Sequence, residues 1–224
     1  MTTTTTTATT TTAPSEPEAL PRFLDVYAAM HAGMRRDASR LLRAVDRIPT
    51  APGTTRPALH AWWRHFEAVI VQHHGREDVV LWPALEARAP EFAADRSRLV
   101  EDHEQLDRAM AAVGAALAGT GGDLVPAVST FADLLVDHLA REEAAAFPLL
   151  AAHFDEAEYR SIEKQLAKGA TLRSAAFELP WVLDGANAET RESVAAILPA
   201  PMRVLNRVFW ERRYRRIAAP LLGS

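Results

Sequence analysis

The sequence predicts an all-α protein: an antiparallel four-helix bundle with a C-terminal helical extension. Three observations lead to this prediction. Apolar residues recur at helical spacing in four long segments, no segment alternates at a period of two over a useful length, and Pro- or Gly-containing stretches separate the segments. Amphipathic helices joined by such short connections pack as antiparallel bundles.

The four bundle helices have clear bounds in the sequence. They are expected at residues 18–48, 56–88, 93–118 and 124–153, with turn-forming residues at 49–55, 89–90 and 119–122. Pro83 and Pro148 stand inside the second and fourth segments. A proline removes a helical hydrogen bond and crowds the preceding turn, so each of these helices should kink or end near its proline.

The domain organisation and composition limit the function. We expect a disordered Thr-rich tail at 1–18, the bundle at 19–153 and the extension at 154–224. The tail lacks the basic and apolar regions of a signal peptide, and no apolar run approaches the roughly 20 residues of a membrane span. We therefore expect a soluble, cytoplasmic protein, in keeping with the absence of cysteine. The net charge of -4 gives no reason to expect nucleic-acid binding.

The extension is expected to hold a charged helix at 155–168, an irregular docking segment at 177–181, and helices at 190–197 and 201–218. The last helix is basic, because it carries six arginines against a single acid, Glu211. Its apolar residues are expected to pack on the domain itself; they are Val204, Leu205, Val208 and Phe209. Such a helix is also typical of a protein partner site or a membrane surface.

One sequence pattern occurs twice. Residues 73–83 and 138–148 both read His-x-x-Arg-Glu-acid-x-x-x-aromatic-Pro. The His and Glu of each copy, His73 with Glu77 and His138 with Glu142, lie four residues apart and share one helix face. Such a pair can hold a metal ion, and two copies indicate two ions or one shared pair.

Each predicted helix also directs one imidazole towards the interior of the bundle. The histidines on the apolar stripes are His31, His73, His103 and His138. Glu77 and Glu142 fall on the same stripes. An ionised carboxylate in an apolar core costs roughly several kcal/mol unless it is paired, so two of them among four imidazoles favour a cation between them.

The pattern as a whole decides between a metal site and ordinary core residues. A single buried His is more often a hydrogen-bonded core residue, and a single His–Glu pair is common on helix surfaces. A pattern that joins one interior His on each of four helices with two His–Glu pairs at the same spacing is much less likely to arise by chance. Imidazole and carboxylate without thiolate suit iron, manganese or zinc, and two carboxylates able to bridge favour a binuclear centre. A ferritin-like centre is disfavoured because no His has a Glu three residues before it.

A known family shares this order of residues. Over about residues 18–153 the chain resembles the haemerythrin-like, or HHE cation-binding, domain in the order His31, His73-x-x-x-Glu77, His103 and His138-x-x-x-Glu142. The resemblance implies a non-haem di-iron site with four terminal imidazoles, bridged by Glu77 and Glu142. It also implies dioxygen, hydrogen peroxide or nitric oxide as the small ligand. The extension is similar to those of actinobacterial members.

Two positions leave the ligand set open. Oxygen-carrying members have a second His four residues after the third-helix His, where this chain has Asp107, and their last motif is His-x-x-x-x-Asp. Asp107 is expected on the inner face, either as a replacement ligand or as a solvated acid. His74 is the alternative to His73, which is preferred because it aligns with His138 when the prolines are superposed. The remaining histidines are interpreted as structural or surface residues: His60, His65 and His153.

The sequence thus predicts a di-iron protein that binds or reacts with dioxygen, peroxide or nitric oxide, with catalase- or peroxidase-like turnover as one form of that chemistry. No acid–base pair beyond the ligands is evident, so the sequence does not assign an enzyme. A redox, oxygen or iron sensor that signals through the C-terminal helix is the second hypothesis. A metal-free structural bundle is the third.

Overall fold

The computed structural model describes residues 20–50 and 55–222, and within these ranges it contains helices and turns but no strand. The predicted tail at 1–18 lies outside the described residues. Four long helices form the bundle, interrupted once by a short one; in chain order they are α1 (Asp25–Arg47), α2 (Arg56–Arg76), α3 (Trp82–Glu86), α4 (Ala93–Ala118) and α5 (Leu124–His153). Helix α5 packs against α1 and α4, and α2 packs against α4. The prediction of an all-α bundle is confirmed.

Local sequence signals account for several helix ends. The side chain of Thr55 accepts a hydrogen bond from the N–H of Ala58 and caps α2, whose first turn contains Pro57. Helix α4 ends at Gly119, where a positive φ of 76° lets the chain turn and its N–H satisfy the last carbonyls. These capping signals therefore set the positions at which α2 begins and α4 ends.

The second long helix changes geometry ahead of Pro83, as predicted. Helix α2 stops at Arg76, and Glu77–Leu81 form a π-helical turn before α3. Because Pro83 has no N–H to donate and its ring crowds the preceding turn, a widened turn relieves the conflict. Helix α5 instead continues past Pro148 and ends at His153.

After α5, the described part of the chain contains five shorter helices: α6 (Glu156–Leu166), α7 (Leu172–Leu183), α8 (Ala188–Ile197), α9 (Ala200–Leu205) and α10 (Glu211–Leu222). A π-helical turn, Asn206–Trp210, joins the last two. Helices α7, α8 and α10 pack against α1, and α10 also packs against α2. No helix among the described residues has the length and apolar character needed to cross a bilayer.

Two expectations about the extension are wrong. The segment at 177–181 is not irregular, because it lies within α7, which begins at a reciprocal cap between Thr171 and Ser174. The apolar face of the last helix also differs from the prediction: the side chains of Val204, Val208 and Phe209 are exposed. The buried stripe consists of Trp210, Tyr214, Ala218 and Leu221. The π-helical turn adds a residue to one turn and so shifts the face that a regular spacing predicts.

The buried apolar side chains form two clusters separated by a polar layer. The larger cluster joins the bundle to the extension, with Met34 and Phe66 packed in the same group as Trp181. The smaller one contains Leu81 and Leu99 near the other end of the bundle. Along the chain, four predicted ligands fall between residues of the two clusters, namely His73, Glu77, His103 and Glu142, whereas His31 and His138 are flanked by residues of the larger cluster. The polar layer is therefore enclosed by apolar side chains on both sides.

Candidate metal centre

The polar layer contains seven buried side chains that can ligate a metal. They come from all four long helices and the π-helical turn, and they are His31, His73, His74, Glu77, His103, His138 and Glu142. The structure thus brings together every residue of the expected ligand set, and His74 with them. Both adjacent histidines of α2, His73 and His74, are buried in this layer.

The ligand atoms fall into two groups, and within each group they lie within 4.8 Å of one another. The three-imidazole pocket consists of His74, His103 and His138. The two-imidazole pocket consists of His31 and His73, grouped with Glu77 and Glu142. Because successive helix residues point about 100° apart, neighbouring histidines of α2 serve different pockets.

Each carboxylate spans both pockets. Oε1 of Glu77 lies 2.7 Å from Nε2 of His73, and its Oε2 lies 3.7 Å from Nε2 of His103. Oε1 of Glu142 lies 3.3 Å from Nε2 of His31, and its Oε2 lies 3.2 Å from Nε2 of His138. One oxygen of each carboxylate therefore faces one group of imidazoles and the other oxygen faces the second group. This is the arrangement that two bridging ligands require.

Seven buried atoms of these side chains have no hydrogen-bond partner. Two of them are Nδ1 of His74 and Nδ1 of His138; the other five are Nε2 of His74, His103 and His138, and Oε2 of Glu77 and Glu142. Leaving a buried polar atom unpaired costs about 1–3 kcal/mol. Burial and the charge of His103 also hold the pKa of His74 well below its ordinary value, so this ring is neutral and able to ligate. A cation among the five atoms satisfies all of them, and the residues present therefore fit a metal ion.

Carboxylates behind the rings orient two of the histidines. Nδ1 of His103 lies 3.1 Å from Asp78, and Nδ1 of His31 lies 2.9 Å from Glu143. Arg35 holds Glu143 through both of its oxygens, at 2.6 and 2.9 Å. With Nδ1 occupied, Nε2 of each ring is directed inward, which is how carboxylates commonly position metal-binding histidines.

At the third ring, His138, the nearest carboxylate behind the ring is too far away from Nδ1 for a hydrogen bond. Nδ1 of His138 lies 3.6 Å from Asp102, and Arg141 donates a hydrogen bond of 2.9 Å to the same carboxylate.

The two acids that contact His103 and His31 are Asp78 and Glu143, the residues that follow Glu in the two copies of the repeated pattern. Each serves a histidine on a different helix.

Neighbouring charges and burial shift the pKa values of the groups in the layer. Burial lowers the pKa of His31, but the charge of Glu142 and hydrogen bonds to Glu142 and Glu143 raise it to about 9. Burial and the charge of His31 lower the pKa of His73 to about 3. Burial and the charge of Glu142 raise the pKa of Glu77 well above its ordinary value. These shifts arise because two carboxylates and several imidazoles are buried close together, which is a charge arrangement that a bound cation would stabilise.

The other candidate residues lie elsewhere. Asp107 is exposed, so the expectation that it faces inward is wrong; α4 turns Leu106 and Met110 to the core instead. His65 stacks on Phe177 with ring centroids 4.8 Å apart, and His153 is exposed. Neither group of ligand atoms found in the described residues includes them or His60.

Sequence reasoning missed one residue inside the layer. Tyr27 is not among the predicted ligands, yet its hydroxyl donates towards Oε1 of Glu77 at 2.9 Å and also contacts Oε1 of Glu142. Its position four residues before His31 was the available signal, because residues at that spacing share one face. Burial and both carboxylates raise the pKa of Tyr27 well above its ordinary value.

Comparison with known proteins agrees with this geometry. The family model of the hemerythrin HHE cation-binding domain matches residues 22–150, which is more than half of the chain. No curated protein and no solved structure matches. The matched range covers all seven side chains of the polar layer and ends before the extension.

Proposed function

Because the chain belongs to the hemerythrin family of HHE cation-binding domains, we propose that it is a non-haem di-iron protein that binds or reacts with dioxygen, hydrogen peroxide or nitric oxide. Cation binding follows from the family, and the choice of iron rests on the donors. Imidazoles and carboxylates without thiolate suit iron, and paired carboxylates suit two ions. His74, His103 and His138 would hold one iron, His31 and His73 the other, and Glu77 and Glu142 would bridge them.

The observation that carries the proposal is the set of five unpartnered donor atoms facing one another in the polar layer. A metal-free structural bundle would leave those atoms buried and unpaired, at a cost that apolar residues of similar size would avoid. Iron bound there supplies a Lewis acid and redox chemistry.

The chain's own residues would set the conditions for that chemistry. The two apolar clusters exclude water, which strengthens electrostatic interactions inside the layer. Asp78 and Glu143 fix the orientation of the rings in front of them. Three imidazoles and two carboxylate oxygens leave a coordination position for a small ligand. A cytoplasmic location is part of the same proposal.

The test is iron content followed by reactivity. Protein loaded with ferrous iron without air is analysed for metal, then mixed with air, hydrogen peroxide or nitric oxide while its absorption spectrum is followed. We expect about two irons per chain and a spectral change with at least one of these ligands. His138→Ala should lose iron, whereas His153→Ala, at the exposed end of α5, should not. Binding of no iron, manganese or zinc would establish the metal-free bundle instead.

The kind of reactivity separates a carrier from an enzyme. A spectral change that reverses when the ligand is removed indicates binding, and oxygen evolved continuously from peroxide indicates catalase-like turnover. Iron that is present but inert towards all three ligands would contradict the reactive function.

A sensor that acts through the extension is the second candidate. Arg76, next to Glu77, forms an ion pair of 2.9 Å with Glu178 on α7, so the extension touches the element that carries a bridging carboxylate. The outward face of the last two helices also combines exposed Val204, Val208 and Phe209 with exposed arginines. That combination suits an anionic membrane surface.

Sedimentation with vesicles of phosphatidylcholine and phosphatidylserine tests the sensor. Deleting the last helix is unsuitable, because Trp210 and Tyr214 belong to the core. We expect iron-loaded and metal-free protein to bind the anionic vesicles differently, and Phe209→Asp to lose binding. Equal binding by both forms, or none by either, rules out signalling through a membrane surface.

A further inference from the structure

The three-imidazole pocket has one imidazole more than the other pocket. The residue at the corresponding place in the two-imidazole pocket is not part of the expected ligand set. Three imidazole nitrogens and two carboxylate oxygens face the three-imidazole pocket. The two-imidazole pocket has two nitrogens and the other two carboxylate oxygens. The position that would correspond to a third imidazole is occupied by the hydroxyl of Tyr27, which contacts Oε1 of both carboxylates.

The ring of Tyr27 is held against the same pocket. Its centroid lies 4.8 Å from that of His31, 5.6 Å from that of His73 and 5.2 Å from that of Phe147. The side chain is buried, so water does not compete for the hydroxyl group. Its orientation towards the two carboxylates is fixed by packing.

Hydrogen bonds can satisfy the phenol without a metal, because its oxygen both donates and accepts. Its placement is what suits it to ligation. The oxygen lies against Oε1 of Glu77 and Oε1 of Glu142, and the same two carboxylate oxygens face His73 and His31. A cation at this position would be shared by the phenol oxygen, both carboxylates and both imidazoles.

We propose that the phenol oxygen of Tyr27 is a ligand of the metal held by His31 and His73. The two pockets then offer five donors each, with an oxygen in one where the other has an imidazole. On ligation the O–H bond breaks, a bond from oxygen to ferric iron forms, the proton passes to the buffer, and the iron keeps its oxidation state. This inference rests on the proposed di-iron function.

The test is the colour of the ferric protein. A phenolate bound to ferric iron gives an intense visible charge-transfer band, and excitation within that band enhances the ring vibrations of the phenolate in the Raman spectrum. We expect both signals in the wild type. Tyr27→Phe keeps the ring and its packing, so it should retain iron but lose both signals.

Tyr159→Phe is the matched control. Tyr159 is also buried, and it lies on α6 with its ring 5.2 Å from that of Phe23. This variant should keep the band and the ring vibrations. Unchanged signals in Tyr27→Phe would overturn the proposal.

The wild type alone also tests the inference, so the result does not depend on how well a variant folds. A chain that binds about two ferric ions without the phenolate vibrations refutes ligation by Tyr27 and leaves the di-iron function standing. A chain that binds no iron refutes both. Growth with ring-deuterated tyrosine, which should shift the enhanced vibrations, confirms that they come from tyrosine.

Discussion

The two pockets of the polar layer differ in how their donor atoms are satisfied. In the three-imidazole pocket every Nε2 lacks a hydrogen-bond partner. In the two-imidazole pocket the Nε2 atoms of His31 and His73 lie 3.0 Å apart, and Tyr27 contacts both carboxylates. The first pocket has no partner for its donors without a metal, whereas protons and a phenol can partly satisfy the second. We therefore expect the metal in the three-imidazole pocket to matter more for stability.

Removing the metal gives the largest expected effect. A ligand present at about 1,000 times its dissociation constant stabilises the folded state by roughly 4 kcal/mol, so chelation should lower the melting temperature by many degrees. Thermal unfolding followed by circular dichroism, with and without chelator, measures this.

A triple variant tests whether the three-imidazole pocket accounts for the loss of stability on metal removal. Replacing His74, His103 and His138 by Leu removes the unpaired atoms together with the metal that they would bind. Because apolar side chains avoid the unpaired-donor cost, this variant should be at least as stable as the chelated wild type. A variant clearly less stable than the chelated wild type would show that the imidazoles are satisfied without a metal.

The substitution His74→Ala tests whether the pockets load separately. It removes one ligand from the three-imidazole pocket and none from the other, so iron content should fall from about two to about one per chain. Metal analysis measures the ratio. His60→Ala, on the same helix but outside both groups, is the control and should keep full occupancy. Full occupancy in His74→Ala would remove this residue from the ligand set.

The acids behind the rings should have a smaller effect, each on its own pocket. Asp78→Asn and Glu143→Gln leave the ligands in place but weaken the orientation of His103 and His31 respectively. Loss of such a partner typically costs about 10–100-fold in metal affinity. Competition with a chromophoric chelator measures both dissociation constants. Equal affinity in wild type and both variants would mean that these carboxylates do not position the rings.

The packing of the extension should affect the centre least. A Cβ at Gly33 would lie 2.9 Å from the ring of Trp181, so Gly33→Ala forces the extension away from α1. Overpacking of this kind costs about 1–3 kcal/mol, which chemical denaturation can measure. Metal content should stay unchanged although His31 is two residues away. Loss of metal from one pocket would show that the extension supports that pocket directly.

The sequence predicts the bundle well because its helices are long and strongly periodic. The bounds of α4 and α5 agree with the expected 93–118 and 124–153. The extension is less predictable because its helices are short and their faces depend on what they pack against. The π-helical turn at Asn206–Trp210 shifts the buried face to Trp210 and Tyr214. No local residue pattern predicts this turn.

The site is predictable in outline for a similar reason. His31, His103 and Glu142 lie on the apolar stripes, so periodicity alone places them inside. Periodicity made His73 and His74 alternatives because it assumes that one face of α2 meets one site, whereas the structure buries both side chains. The prediction for Asp107 is wrong because it assumes that a residue four positions after His103 shares its buried face. Only the packing of α4 shows that this edge of the face is exposed.

The central claim is that two metal ions lie in this layer, one in each pocket, bridged by Glu77 and Glu142. Anomalous diffraction at the iron absorption edge, from crystals of the iron-loaded protein, tests it most directly. We predict two peaks, one among His74, His103 and His138 and one between His31 and His73. A single peak, or peaks away from these side chains, would contradict the account.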